Sequence, residues 1–579
     1  MFAIARTLFV PVTLFLTLAS IAVAAEEAEL ILHHGKIVTV DREFSLQEAI
    51  AVKEGRILAV GGAAEVLQTR GEKTKVIDLE GKTVLPGLAD SHVHPTSAAM
   101  TEFDHPVPEM ESIADVLAYV KSRAAALEEG QWIVVRQVFI TRLREQRYPT
   151  RAELDEAAPR HPVVFATGPD ASVNSLALAR SGIDKDFQVA GPGKVEKDPT
   201  TGEPTGILRS AERSLKIVDP QAKPTPEQQD ERLLELLHDY ASVGITSVID
   251  RDASPGEIEQ YRRLRAAGKL PIRVRISHHV DTSGKTSDIV AAIAKIAAHP
   301  LCQGDDLLRI IGIKTFLDGG MLTGSAFMLK PWGVSRIYSI DDPRYRGMLY
   351  IPPEVLVPIV RATVENNLQF TAHSVGNGAV QTLIDAYEEV NRTTPIAATR
   401  PCVTHSNFMT REAIDKAARL GVMVDIQPAW LYLDTRTLVA QFGYDRLRYF
   451  QPLHSLFEAG VTAGGGSDHM QKIGSLRSIN PYDPWLGMWV TLTRQARWHD
   501  APLHPEEALT REQAIRFYTT NNAKIMFLDD RTGSLEPGKL ADFVVIDRDI
   551  LTCPVDDIRQ TRVLATYLSG QTIFTQLAP

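Results

Sequence analysis

Cysteine is scarce: Cys302, Cys402 and Cys553 are the only three in 579 residues. An odd count with no short spacing supports neither a disulfide framework nor a thiolate zinc site. A basic excess is also lacking. Asp and Glu total 72 against 62 Lys and Arg, a formal net charge of −10. That balance argues against a nucleic-acid partner, since phosphate binding needs a basic face. No internal repeat or low-complexity tract occurs. With 44% hydrophobic and 23% charged residues, the composition excludes disorder, collagen and coiled coil. Beyond the first 25 residues no segment is long and apolar enough to span a membrane.

Those first 25 residues carry one cation, Arg6, then an uncharged apolar run, and close with Ala22-Val23-Ala24 before Glu26-Glu27. A positive start, an apolar centre and a small-x-small end form an export signal, with cleavage expected near Ala24 or Ala25. An uncleaved N-terminal anchor is the alternative. Either way the rest of the chain is expected outside the cytoplasm, periplasmic or secreted, with no membrane contact in the mature form.

Residues 30–40 and 50–61 alternate apolar and polar positions around glycine turns, which predicts strands and hairpins. The pattern returns near the C-terminus, in a turn at 533–539 and a strand at 541–547. Residues 26–84 and 531–579 are therefore expected to form one small composite β domain. Between them eight apolar runs recur, beginning at Thr83, Ile245, Ile272, Leu308, Leu368, Pro401, Gly421 and Gly460. Many are followed by an amphipathic helical stretch. Eight strand–helix units predict an α/β fold, a (β/α)8 TIM-like barrel over 85–530. The gap from His94 to Ile245 is too long for one crossover and predicts an inserted subdomain after strand 1, at about 102–230.

Five of the eight runs end in a His, Lys or Asp: His92 and His94, Lys314, His373, His405 and Asp468. The carboxyl ends of parallel barrel strands converge on one face, where catalytic residues gather. His-x-His on a strand places both imidazoles on the same side. Neutral imidazole and carboxylate both suit a divalent cation. The ordered set therefore predicts a metal cage, although any single histidine at a strand end is ordinarily a packing or surface residue. His33-His34 reads as a solvated turn. His278-His279 ends the third run, so His279 is a candidate substrate contact at the same mouth, a packing role being the alternative.

The segments carrying these residues resemble the amidohydrolase superfamily, specifically its YtcJ-like, N-substituted-formamide-deformylase-like branch. The resemblance rests on LPGLADSHVH ending at His94, IKTFLDGG around Lys314, AHSVGNGA around His373, VTHS around His405 and GSD ending at Asp468. PTRAELD from Pro149, GEPTGIL from Gly202 and GSLEPGKLADFVV from Gly533 add to it. The resemblance implies a barrel with a small composite β-sandwich built from both termini. It implies that His92, His94 and Asp468 bind one metal and that His373 and His405 bind a second or join the first. It further implies that Lys314 is carbamylated and bridges two metals, because an ammonium has no lone pair to give. Zinc is the expected cation, one or two per chain. Family relatives are often dimers, so a homodimer is admitted.

The chain departs from the family pattern at 167–175, at Arg209 and after Asp318, all regions where substrate recognition is expected. Asn174 and Asp318 are accordingly candidate substrate contacts; alternatively, Asp318 pairs with the Lys314 cation. The chemistry that follows is hydrolysis of a C–N bond in a small molecule, an amide, formamide or related group. Asp468 would be the general acid–base. Lactone, ester or cyclic imide hydrolysis on the same cage stays open, as does a catalytically silent periplasmic binding protein of this fold. A metal-free glycosidase would want two strand-end carboxylates, and only Asp468 fits.

Overall fold

A computed structural model of the chain describes residues 26–577 apart from 137, 169, 191–192 and 219–222; the expected export signal lies outside the described residues. Among those described, no helix is long and apolar enough to cross a membrane.

An eight-stranded sheet forms the centre. Its strands, in chain order and here termed barrel strands 1 to 8, are Leu88–Val93, Ile245–Ala253, Arg273–His279, Leu308–Phe316, Gln369–Ser374, Cys402–His405, Met423–Ile426 and Ala463–Gly465. Each comes from one of the eight apolar runs. All seven neighbouring pairs are parallel. Strand 1 is buried along its whole length, as expected of a strand covered on both faces. Closure comes just past strand 8, where the Asp468 amide donates to the His92 carbonyl and the His94 amide to the His469 carbonyl, each at 2.8 Å. The ring is therefore nearly shut at the end where the candidate ligands sit.

The first apolar run does not stay in one sheet. Thr83–Pro86 pairs with Phe543–Ile546 and Lys36–Val38 in a six-stranded sheet holding strands from both ends of the chain. Only Leu88–Val93 enters the barrel. Gly87 makes the crossing, its amide donating to the Asp542 carbonyl at 2.9 Å. A β-carbon there would lie 2.3 Å from Thr246 Oγ1, so no larger residue fits between the layers. A four-stranded sheet of Arg56–Gly61, Ala49–Lys53, Ala28–His33 and Arg70–Asp78 completes the terminal β region. Leu32, Ile50, Phe543 and Val545 pack between the sheets. Arg273 of barrel strand 3 ties this region to the barrel through two buried bonds to Asp542, at 2.6 and 2.8 Å.

Between barrel strands 1 and 2 lies a five-stranded mixed sheet, ordered Lys194–Lys197, Pro204–Arg209, Asp170–Val173, Val163–Thr167 and Ile133–Arg136. Here the PTRAELD and GEPTGIL motifs have structural roles. Thr150 and Glu153 form a capping box on the helix Arg151–Ala157. Gly206, at φ +98°, lets the strand pass so close that a β-carbon would lie 2.6 Å from the Val173 carbonyl and 2.9 Å from Arg151 Cβ. Asn174, expected as a substrate contact, is instead a buried cap on the helix Ser175–Ser181. Its carbonyl oxygen accepts from the Val163 and Ala177 amides (2.9 and 3.0 Å), and its amide nitrogen donates to the His161 carbonyl (2.8 Å). A side chain so engaged has nothing left for a ligand, which corrects that expectation. The second departure, Arg209, is likewise engaged: it bonds Glu196 (2.8 Å) and Asp170 (3.3 Å) and lies over the Tyr148 ring.

Candidate metal centre

The strand-end residues meet at the closure. His92 Nε2 and His94 Nε2 lie 3.3 Å apart, and Asp468 Oδ1 is 3.3 Å from each. His92 is fully buried, whereas the His94 side chain is one-quarter exposed toward the mouth. So tight a meeting requires barrel strand 8 to run against strand 1. A β-carbon on Gly466 would lie 2.9 Å from the His92 amide nitrogen and 3.0 Å from its Cβ. The backbone then turns left-handed at Asp468, φ +56°, as it does at His405 on the end of barrel strand 6, φ +75°. Conformations of this kind cost of order 1 kcal/mol or more in a non-glycine residue and cluster at functional sites.

Three acceptor-rich atoms at mutual contact repel one another unless a proton or cation lies among them. Ligand atoms about 2.1 Å from a small divalent cation, at tetrahedral angles, are about 3.4 Å apart. The observed 3.3 Å separations fit that requirement. The donor set of two imidazoles and a carboxylate is also suited to such an ion.

The protein fixes which nitrogens face the centre. Asp425, fully buried, accepts from Gln427 Nε2 (3.0 Å), Thr404 Oγ1 (3.1 Å) and the His405 amide (3.4 Å), and forms an ion pair with Arg251 (3.2 Å). With that many donors on it, Asp425 also accepts from His92 Nδ1 (3.2 Å), which leaves His92 Nε2 with its lone pair. Since Gln427 directs its nitrogen at Asp425, its oxygen accepts from His405 Nδ1 (2.8 Å), and His405 Nε2 is freed in the same way. Such outer partners orient metal-ligating histidines and raise their basicity. Burial and the Lys314 charge push the His92 pKa well down and that of His373 to about 3. Burial and the neighbouring His373 and His92 depress His405 as well. All three imidazoles are therefore neutral at neutral pH. His94 differs: burial disfavours its cation, but the hydrogen bond and charge of Asp468 outweigh that and raise its pKa. For Asp468, burial raises the pKa against the opposing pull of His94.

The other three predicted ligands adjoin this triad. The His405 ring stacks on His92 at 4.8 Å and on Trp430 at 4.7 Å, and meets the His373 ring edge-on at 4.5 Å. Lys314 is 1% exposed and its ammonium makes no hydrogen bond or ion pair among the described residues; it lies 5.2 Å from the centre of the Phe316 ring. Burial lowers its pKa, while Asp252, Asp425 and Asp468 act in the opposite direction. Asp318 makes no ion pair with Lys314 among the described residues and lies 3.9 Å from His373 Nε2. It is buried and accepts from the amides of Phe327, Val375 and Gly376, each at 2.9 Å. The carboxylate that was expected to contact substrate instead pins two loops together. His279 stands at the rim beside Lys314, 41% exposed, with Nδ1 bonded at 2.7 Å to Asp252, whose backbone is strained at φ +101°.

Sequence reasoning missed the outer layer. Asp425 and Gln427 lie in the seventh apolar run and Arg251 at the end of the second. A charged residue inside such a run was the available signal. Asn480 carried none: it holds Asp468 by donating to its carbonyl (2.7 Å) and its Oδ2 (3.4 Å) from twelve residues away.

The amidohydrolase family profile matches residues 75–574. The chain is 31% identical to the N-substituted formamide deformylase of Arthrobacter pascens over 556 residues, covering 94% of this chain and 97% of that protein. It is 25% identical to the putative amidohydrolase YtcJ of Bacillus subtilis, covering 94% and 98% respectively. Among solved structures it resembles an uncharacterized metal-dependent hydrolase from Pyrococcus furiosus, with a TM-score of 0.65 and 22% identity, over 90% of this chain and 100% of that one.

Proposed function

The chain belongs to the amidohydrolase family, and from that premise we propose that it hydrolyses the C–N bond of an amide or formamide in a small molecule, with a divalent cation held by His92, His94 and Asp468. The observation that carries the reading is the 3.3 Å convergence of those three side chains at the closed end of the barrel. The deformylase named above, similar along nearly its full length, supports a formamide or related N-acyl substrate. Zinc is the cation we propose. His373, His405 and a carbamylated Lys314 would hold a second. Carbamylation of the neutral Lys314 amine by carbon dioxide would release one proton and give that position a carboxylate able to bind the second cation.

A cation bound in the cage supplies Lewis acidity and water acidic enough to ionise near pH 7. Asp468 accepts the proton of the attacking water and returns it to the leaving nitrogen. Asn480 keeps the Asp468 backbone in place, and Asp425 with Gln427 keeps His92 and His405 turned toward the centre. His279, positioned by Asp252 and partly open to solvent, offers its Nε2 to the substrate at the rim.

The test combines metal analysis of the purified protein, electron density at Lys314, and a panel of N-formyl and N-acyl amines assayed beside lactones, esters and cyclic imides. We expect at least one equivalent of metal per chain and turnover confined to C–N substrates. Metal-free protein with full activity, or turnover of the lactones and esters alone, would overturn the proposal. Export belongs to the same proposal: intact mass of the protein from its native host should begin near Glu26, and retention of Met1 in a soluble cytoplasmic form would refute it.

A further inference from the structure

Between the inserted sheet and the loop that follows Asp468 lies a cavity of about 380 Å3, within the range of about 300–1,000 Å3 typical of small-molecule sites. None of the six candidate metal ligands lines it. Six cationic side chains do, Arg136, Arg142, Lys472, Arg477, Arg497 and Arg559, against two acidic ones, Glu109 and Glu111. Three of the cations are neutralised. Arg142 grips Asp434 at 2.7 and 2.9 Å, Arg477 grips Glu102 at 2.8 and 3.1 Å, and Arg497 pairs with Glu111.

Of the remaining three, two have no carboxylate partner among the described residues and the third has only a long one. Arg559 lies over the Trp489 ring at 4.6 Å and has no carboxylate partner among the described residues. Arg136 comes no closer than 3.9 Å to Glu212. Lys472 is the most telling: it is 6% exposed, and among the described residues its ammonium donates one hydrogen bond, to the Pro108 carbonyl at 3.0 Å. An ammonium has three donors, and a buried charge without an ionic partner is costly. An anion in the cavity would complete it. Val138, Phe139 and Leu486 supply apolar wall for the body of such a ligand.

The cavity is two side chains from the chemistry. Arg142, in its wall, donates to Asn480 Oδ1 (2.9 Å) and to the Ile479 carbonyl (2.7 Å), and Asn480 holds the Asp468 carbonyl. We infer that this cavity is an anion subsite, taking the carboxylate of an organic acid with an apolar body, and that this acid is the part of the substrate remote from the scissile bond. Identifying the occupant as substrate rests on the hydrolytic reading above; the binding of the acid does not.

Calorimetric titration of the metal-loaded protein with 3-phenylpropionate and with its neutral isostere 3-phenylpropanamide tests this directly. The acid should bind and the amide should bind about tenfold more weakly or worse, the usual difference for a charge-assisted hydrogen bond. Lys472→Met should erase the preference. Arg136→Met, at a half-exposed position, should weaken acid binding without threatening the fold. His92→Asn should leave acid binding intact. Equal binding of acid and amide, or no binding of the acid, overturns the subsite; loss of binding in His92→Asn places the carboxylate in the metal cage and overturns it too. Turnover distinguishes the source of the anion: competitive inhibition by the acid supports a substrate subsite, and noncompetitive inhibition refutes that assignment while leaving the hydrolase reading in place.

Discussion

Asp468→Asn should lower kcat/KM by about three orders of magnitude, within the range of about 10²–10⁴ that a positioned general acid–base contributes. The substitution is nearly isosteric. Asparagine keeps an oxygen for the cation and keeps the backbone carbonyl that Asn480 holds, but it cannot take up and return a proton. The loss should therefore fall on kcat, with little rise in KM, as expected when an interaction made only in the transition state is removed. Metal content per chain and thermal midpoint, measured on the same sample, separate this from collapse of the cage. Activity within tenfold of wild type in a variant that retains its metal would show that another group moves the proton.

The second large effect is on stability. Asp425→Ala should destabilise the protein by about 3–5 kcal/mol, because it strands the fully buried Arg251 without its counter-charge. That is a large part of the roughly 5–15 kcal/mol that ordinarily separates folded from unfolded protein. Arg251 would keep its bonds to the Ser91 carbonyl, Ser277 Oγ and Gln369 Oε1, but those partners are neutral. Metal affinity should also fall by about 10–100-fold, since Asp425 fixes the proton on His92 Nδ1. The double variant Arg251→Met, Asp425→Leu tests the cause. Removing both charges should recover much of the stability that the single change loses, without restoring metal affinity. Denaturant unfolding of the three proteins in matched metal is the measurement. A single variant that loses less than about 1 kcal/mol, or a double variant no more stable than the single, would contradict the assignment.

Asp425 marks where sequence reading stops. The eight strands were legible because each is a short apolar run, buried on both faces, and such runs stand out from amphipathic helices. The polar residues ending those runs were legible for the same reason. Asp425 also stands in an apolar run, but its importance comes from five partners scattered from His92 to Gln427, and sequence spacing does not reveal that they converge. Asn174 and Asp318 fail in the opposite direction. Both sit in segments where substrate recognition was expected, and both are used up by neighbouring backbone amides. Only the coordinates of the Val163, Phe327 and Val375 amides reveal it.

By itself the sequence determined the barrel, its inserted segment and the identities of the polar groups at the strand ends, because hydrophobic periodicity is a local property of the chain. Tertiary structure alone decided which of those groups touch. The 3.3 Å meeting of His92, His94 and Asp468 depends on a glycine at 466 that lets two strands, nearly four hundred residues apart in sequence, run side by side. Proton placement on His92 and His405 was likewise a tertiary matter, since it follows from acceptors at barrel strand 7, Asp425 on it and Gln427 just past it.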